Sequence, residues 1–458
     1  MNKIYQSLVR LLHKIGMDRA IAYGSGARII QAIAGVVTLF FIAAFLSGEE
    51  QGYYYTFSSL LGIQVFFELG FTNILTQFVA HEAAHLKVVN NTEYEGDEKY
   101  RSRLSSLLHF SVKWYTIAAV LMLVTLLVAG YYLFHNAKDS TNISWFYPYL
   151  ILCIATAIKL LQSPFTAILM GLNKVAEMNE ILFIQQLISP IVMWILLICH
   201  ASLYVIGVSS VVAVLVWFIY VFRKDTKDIL INIYKISIKD RVKYMSEIFP
   251  YQWRMAVSSF SGFFIFYFIT PILFKYQGSI IAGQMGMTIT VVSAIQSLAM
   301  TWQNTKVPLY SQLIAKKDYV QLDKTFSIAT KQMIYICSIL MFFAFLFLTG
   351  CDYFKIGING NLLSARFLLG WPLMFMMIAY TVTSLTFAWA TYLRCHKKEP
   401  YMWMSLVSGI ACLLGIWITS KYSSILIITL TYMIVRILVI PWSYNIFLSN
   451  KTKWHADV

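Results

Sequence analysis

Twelve apolar stretches run through this chain of 458 residues, at 21–46, 53–79, 110–134, 145–170, 181–199, 203–222, 253–274, 280–302, 333–348, 367–392, 402–418 and 424–447. A bilayer core offers no water to the backbone, so a crossing segment must close its own hydrogen bonds, and stretches of about 20 residues do so as α-helices. Composition agrees: 12% of residues are charged and 59% hydrophobic, whereas a soluble domain carries about 25% charge. The expected fold is all-α: a polytopic membrane protein with twelve transmembrane helices in two pseudo-repeated six-helix bundles around a central cavity.

The connecting segments test that count. If the N-terminus is cytoplasmic, the inside segments hold 25 of the 36 Lys and Arg residues and the outside segments hold four, Lys138, Lys275, Lys355 and Lys421, the remaining seven lying in or at the ends of spans. This asymmetry is the positive-inside pattern, and one missed span would scramble it. Both termini are then cytoplasmic. The net charge of +15 is explained by membrane topology without nucleic acid. Residues 1–20 read as a basic amphipathic helix on an anionic membrane surface, with Ile4, Leu8 and Leu11 on one face. No cleavable signal peptide is expected. Residues 21–222 form the N-terminal bundle, 223–250 a cytoplasmic linker with an amphipathic stretch, and 251–458 the C-terminal bundle. The six cysteines are scattered and fit neither a disulfide framework nor a metal spacing.

The halves show weak internal similarity. Arg28 with Gly35 parallels Arg254 with Gly262. At one offset of 231, Gly52 matches Gly283 and Asn73 matches Asn304. Repeats of this kind favour transport by rocking of one half against the other.

Lone charges interrupt the apolar spans. A charge facing lipid costs at least ~2.5–3.5 kcal/mol, so such residues face a protein interior or a polar cavity. Lys159 and Arg436 fall near mid-depth. Arg28 and Arg254 lie one to two turns from the cytoplasmic side, where snorkelling competes with a cavity mouth. Glu68 is the acid well away from every span end, either a structural partner of Lys159 or a functional group. Gln31, Gln64, Asn73, Gln162, Gln303 and Asn304 are supporting polar candidates on the same helices, as are Gln185, Gln186 and Gln296. Amides in spans also act as glue between helices. Tyr53, Tyr54 and Tyr55 read as an interfacial aromatic belt. Pro164, Pro190, Pro271, Pro308, Pro372 and Pro441 mark kinks or breaks.

His81-Glu82-Ala83-Ala84-His85 fits the H-E-x-x-H pattern, which on a helix sets two imidazoles on one face for zinc. A third ligand has only scattered loop acids to draw on, and the competing reading is a polar helix end. The expectation is no metal, no cofactor and no catalytic centre. No phosphate-binding loop or nucleophile elbow is present.

Three local patterns carry a resemblance: Gly48-Glu49-Glu50-Gln51-Gly52-Tyr53-Tyr54 leading to Phe67-Glu68-Leu69-Gly70-Phe71, Met170-Gly171-Leu172-Asn173-Lys174, and Trp253-Arg254. In these the chain resembles the polysaccharide-unit (O-antigen, Wzx-type) flippases of the MOP superfamily, relatives of the MATE exporters. Glu68 departs mildly, since an aspartate is commoner there. The resemblance implies a bacterial inner-membrane protein that moves an undecaprenyl-diphosphate-linked oligosaccharide from the cytoplasmic to the outer leaflet by alternating access. It implies a cationic cavity, which Arg28, Lys159, Arg254 and Arg436 would supply. Glu68 would form a charge pair or take up a proton or sodium counter-ion. Membrane lipids and polysaccharide polymerase and chain-length proteins are the implied partners. A MATE-type cation-coupled multidrug exporter is the alternative, disfavoured by the sign of the buried charge. A membrane zinc protease using His81, Glu82 and His85 is a distant one.

Overall fold

The computed structural model describes residues 19–455 apart from 91, 136–142, 224 and 397. The amphipathic stretch expected at 1–20 therefore lies almost wholly outside the described residues. The chain forms α1 (Arg19–Phe45), α2 (Gly48–Leu60), α3 (Gln64–Glu68), α4 (Phe71–Ala83), α5 (Glu98–His135), α6 (Phe146–Gly171), α7 (Val175–Ile198), α8 (Tyr204–Arg223) and α9 (Thr226–Lys235). A π-helical turn at Tyr244–Ile248 leads into α10 (Phe249–Phe266), α11 (Ile269–Gln277), α12 (Ser279–Asn304), α13 (Val307–Ala315), α14 (Tyr319–Tyr353), α15 (Trp371–Arg394), α16 (Met402–Tyr422) and α17 (Ile425–His455). Two small antiparallel hairpins interrupt the helices: β1 (Leu86–Val89) with β2 (Glu93–Gly96), and β3 (Gly357–Ile358) with β4 (Asn361–Leu362).

The all-α polytopic expectation holds. Among the described residues, ten helices are long and apolar enough to cross a membrane. The second expected span adds an eleventh, but it is not one rod. The piece ending at Glu68 and the piece starting at Phe71 meet at 43°. Leu69 (φ 50°) and Gly70 (φ 67°) are both left-handed there, a conformation that costs an L-residue about 1–2 kcal/mol. The expected seventh span is also built in two pieces, α10 and α11, parted at Tyr267 and Phe268. Pro271 explains this break, because it has no N–H for the Tyr267 carbonyl and its ring crowds that carbonyl. Proline does not break every helix it enters. Pro164, Pro190 and Pro441 lie inside continuous helices, while Pro308 and Pro372 begin α13 and α15.

The helices gather into two compact units. Unit 1 holds residues up to Phe45, Ile63–Tyr131 and Ser144–Trp253; unit 2 holds Leu46–Gly62, Tyr132–Ile143 and the chain from Arg254 onward. Two pieces read from sequence as parts of the N-terminal bundle thus pack with the C-terminal helices. In unit 1, Trp194 Nε1 donates to Thr38 Oγ1 at 2.9 Å, tying α7 to α1. The linker after α8 is strapped along α5: Ser102 Oγ accepts from the N–H groups of Lys239 and Asp240, and Ser106 Oγ accepts from Val242. The apolar face of α9 is buried through Ile229 and Ile233.

In unit 2, α2 starts with a reciprocal cap. Ser47 Oγ accepts from Glu50 N–H, and the Glu50 carboxylate accepts from Ser47 N–H. Gln51 Nε2 then donates to the carbonyls of Gly283 (3.0 Å) and Arg366 (2.9 Å). Gly52 lies directly on α12. A Cβ there would sit 2.1 Å from the Ser279 carbonyl oxygen, and one on Gly283 would sit 2.9 Å from the Gly52 nitrogen. The two glycines matched by the offset of 231 therefore touch. This contact buries Tyr53 and Tyr55 (2% and 6% exposed), so they are packing residues and not the expected interfacial belt. Tyr53 stacks edge-on against Phe274, with Phe134 beside both.

Replacing Gly52 by Ala should cost about 1–3 kcal/mol by overpacking and lower the melting temperature of the purified protein. Gly35→Ala, at a position with nothing within 4 Å, should melt like the parent. Equal melting of both variants would contradict the close approach.

Candidate functional site

In unit 1 the first helix turns small residues inward. Ala27 and Ala34 are buried, while Arg28, Gln31 and Gly35 are exposed. Arg28 has no carboxylate partner among the described residues. Lys159 sits 13 residues into the 26-residue helix α6, about 19 Å from either end at 1.5 Å per residue. Its neighbours Ala157 and Leu160 are buried but Lys159 itself is exposed, again without a carboxylate partner among the described residues.

Glu68 is half-buried at the end of α3, beside the break in the second span. It makes no ion pair with Lys159 among the described residues. Its carboxylate accepts a hydrogen bond from the Thr72 hydroxyl, which also contacts the Tyr115 hydroxyl at 2.7 Å. With Thr72 donating to the carboxylate, Tyr115 donates to Thr72, and the result is a directed chain Tyr115–Thr72–Glu68. Thr72 was readable in principle as an i+4 neighbour of Glu68. Tyr115 comes from α5 and has no local signal.

In unit 2, Arg436 is 4% exposed. Its Nε donates to Thr383 Oγ1 and its Nη1 to Ser408 Oγ, both at 2.9 Å. One guanidinium thus joins α15, α16 and α17 through hydroxyls, with no carboxylate partner among the described residues. Neither hydroxyl was a sequence candidate. The backbone of Arg254 is in α10, but its side chain lies outside the described residues.

The supporting amides divide in two. Gln162 Nε2 donates to the Val214 carbonyl (3.2 Å), and Gln303 donates to Thr330 Oγ1 (2.7 Å) while accepting from the Tyr310 hydroxyl (2.8 Å). These join helices. Asn73, Asn304 and Gln31 are exposed and Gln64 is half-buried.

The H-E-x-x-H segment is placed at the end of α4. The His81 and His85 rings are 5.7 Å apart, as the spacing requires, and His85 stacks on Tyr100 at 4.1 Å. Glu82 is buried, and Arg103 bridges it at 2.9 Å to Glu247 at 2.7 Å. The glutamate is spent on a clasp that holds the π-helical turn. No third His, Cys, Asp or Glu joins the imidazoles among the described residues, and this geometry weighs against the protease reading. Arg103 holds the Glu247 carboxyl below its ordinary range. The stabilisation is therefore present above the ordinary carboxylate pKa and is lost as the pH falls below it.

No protein-family model and no curated protein matches the chain. Solved structures do match. An inward-facing multidrug resistance MATE family transporter of the MOP superfamily is 15% identical, covers 92% of this chain and 99% of its own, and gives a TM-score of 0.56. The lipid II flippase MurJ in an inward closed conformation is 13% identical, with 94% and 90% covered and a TM-score of 0.56. A mutant of the Vibrio cholerae MATE transporter VcmN is 10% identical, with 94% and 98% covered and a TM-score of 0.55. The chain shares its fold with these three transporter structures. In this fold, Lys159 and Glu68 of unit 1 lie on exposed and half-buried positions and Arg436 of unit 2 is buried.

Breaking the clasp by Arg103→Ala leaves Glu82 buried and unpaired, which should cost about 3 kcal/mol, read as a fall in melting temperature. Metal analysis of the unmodified protein should find no stoichiometric zinc. A chelator-sensitive melt would point instead to a metal at His81 and His85.

Proposed function

We propose that this protein is a flippase that carries an undecaprenyl-diphosphate-linked oligosaccharide from the cytoplasmic to the outer leaflet of a bacterial inner membrane by alternating access. The observation that carries the reading is Lys159. It is an exposed ammonium at the middle of a spanning helix with no carboxylate partner among the described residues. Facing hydrocarbon it would be costly, so a polar path must run beside it, and a cation on that path attracts an anion. Arg28 adds a second exposed cation in the same unit. A diphosphate headgroup meets both requirements, since its oxygens take charge-assisted hydrogen bonds while the lipid tail stays in the bilayer. In this scheme Arg28 and Lys159 meet the headgroup from unit 1, and Glu68 is the group for a proton or sodium counter-ion. Polymerase and chain-length proteins are the partners that would take up the product.

The MurJ likeness supports a lipid-linked cargo in general; the MATE likenesses support the alternative, a cation-coupled multidrug exporter. Charge sign separates the two. Organic cations need an acidic path, and Glu68 is the one mid-span acid.

Translocation of a lipid-linked oligosaccharide in reconstituted vesicles should fall about tenfold or more in Lys159→Ala. That corresponds to the loss of one charge-assisted contact of roughly 1.5–3 kcal/mol. Lys159→Arg should recover most of it. Full activity of the alanine variant at normal expression would defeat the proposal. Ethidium efflux without any lipid-linked transport would favour the exporter.

A further inference from the structure

Unit 2 contains a cavity of about 370 Å³ beside the break between α10 and α11. At roughly 30 Å³ per water, it is far too large for a bare ion. Thr290, on its wall, is eleven residues into α12, about 17 Å from the start of that helix and so near mid-depth.

The chemistry of the wall is unusual for a membrane bundle. Five aromatic side chains form it, Tyr55, Phe266, Tyr267, Tyr380 and Phe387; the lining has one branched aliphatic side chain, Ile289, and no charged one. An isoprenoid tail would meet more aliphatic surface than this. A cation would be buried with no counter-charge in the lining.

The remaining wall atoms present oxygen. Ser58, Thr290 and Ser293 each donate their hydroxyl proton within their own helix, to the carbonyls of Tyr54, Gly286 and Thr290. Gln296 spends its amide N–H groups on the Tyr380 carbonyl and Ser384 Oγ. Their oxygens keep lone pairs for a ligand that brings O–H or N–H groups. The Tyr55 hydroxyl is buried, with the Thr290 hydroxyl as its neighbour on the wall. Gly286 makes its position: a Cβ there would lie 2.3 Å from Tyr55 Cβ, so only glycine lets the ring sit against α12.

Acceptor oxygens, a buried tyrosine hydroxyl and aromatic faces in an uncharged pocket suit a polyhydroxylated ring. We infer that this cavity is a binding site for a neutral sugar ring. It deepens the proposed function and rests on it for one point, that the sugar belongs to the lipid-linked cargo.

The test uses full-length protein in nanodiscs, free of glycoside detergents. Saturation-transfer NMR is recorded with methyl glucoside, methyl galactoside and methyl N-acetylglucosaminide at millimolar concentration. At least one should bind. Tyr55→Phe, which removes only the hydroxyl, should weaken it at least about fivefold, and Ser293→Leu, which fills the cavity, should abolish it, with both variants melting like the parent. The inference is overturned if no sugar binds, if both variants bind like the parent, or if farnesyl diphosphate or sodium displaces the sugar, which would assign the cavity to a lipid tail or an ion. Vesicle translocation by the parent separates this from the wider reading. Sugar binding at this cavity without transport of a lipid-linked unit leaves the site standing and removes the flippase assignment. Transport by the parent and by Ser293→Leu at equal rates, with sugar binding unchanged, removes the site alone.

Discussion

The dryness of the bilayer interior is the constraint on which the rest of this structure depends. Every polar group carried into it must be satisfied by the protein, because no solvent is there to do it. The chain meets this in one recurring way, by joining side-chain donors to the carbonyls or hydroxyls of another helix. Gln162 and Gln185 donate to α8, Gln296 to α15, and Arg436 to hydroxyls on α15 and α16. These bonds are individually modest, yet each has only one geometry. They set which helices are neighbours, while the small residues along α1, α2 and α12 set how near the helices come.

The same constraint makes departures from regular helix informative. Freed backbone groups at a break need partners or a polar surface, so breaks are tolerated only where the surroundings supply them. One break follows Glu68 and sits beside the Thr72–Tyr115 hydroxyl chain. The other, at Tyr267 and Phe268, lines the hydroxyl-rich cavity of unit 2. In both units, then, the irregular backbone and the polar side chains occur together. That pairing places the proposed counter-ion group and the proposed sugar site beside the two interrupted spans.

Much of the fold was legible because hydrophobic length is a local property. The all-helical class and ten or eleven of the twelve expected spans follow from runs of apolar residues, and the mid-span cations from their interruptions. The breaks were less legible. Pro271 is a visible cause of one, but Pro164, Pro190 and Pro441 look alike in sequence and sit in unbroken helices. The tyrosine run at 53–55 has the composition of an interfacial belt, yet the contact of Gly52 with α12 buries two of its three rings. The H-E-x-x-H spacing did bring two imidazoles together, but Arg103, distant in sequence, claimed the glutamate between them.

The chain by itself determined that it is a helical membrane protein, most of the segments long and apolar enough to cross and where the unusual charges fall along them, because backbone satisfaction and apolar length act residue by residue. The tertiary structure decided which of those charges stand exposed and which are consumed. Arg436 was captured by two hydroxyls from other helices, Glu68 by a hydroxyl chain, and Glu82 by an arginine clasp, whereas Lys159 and Arg28 were left open. It also decided that the first half of the second span packs within unit 2, so that Gly52 meets its repeat-mate Gly283. The physical reason is that a side chain's partner across the bundle depends on helix facing and distance of approach, which no single run of sequence encodes.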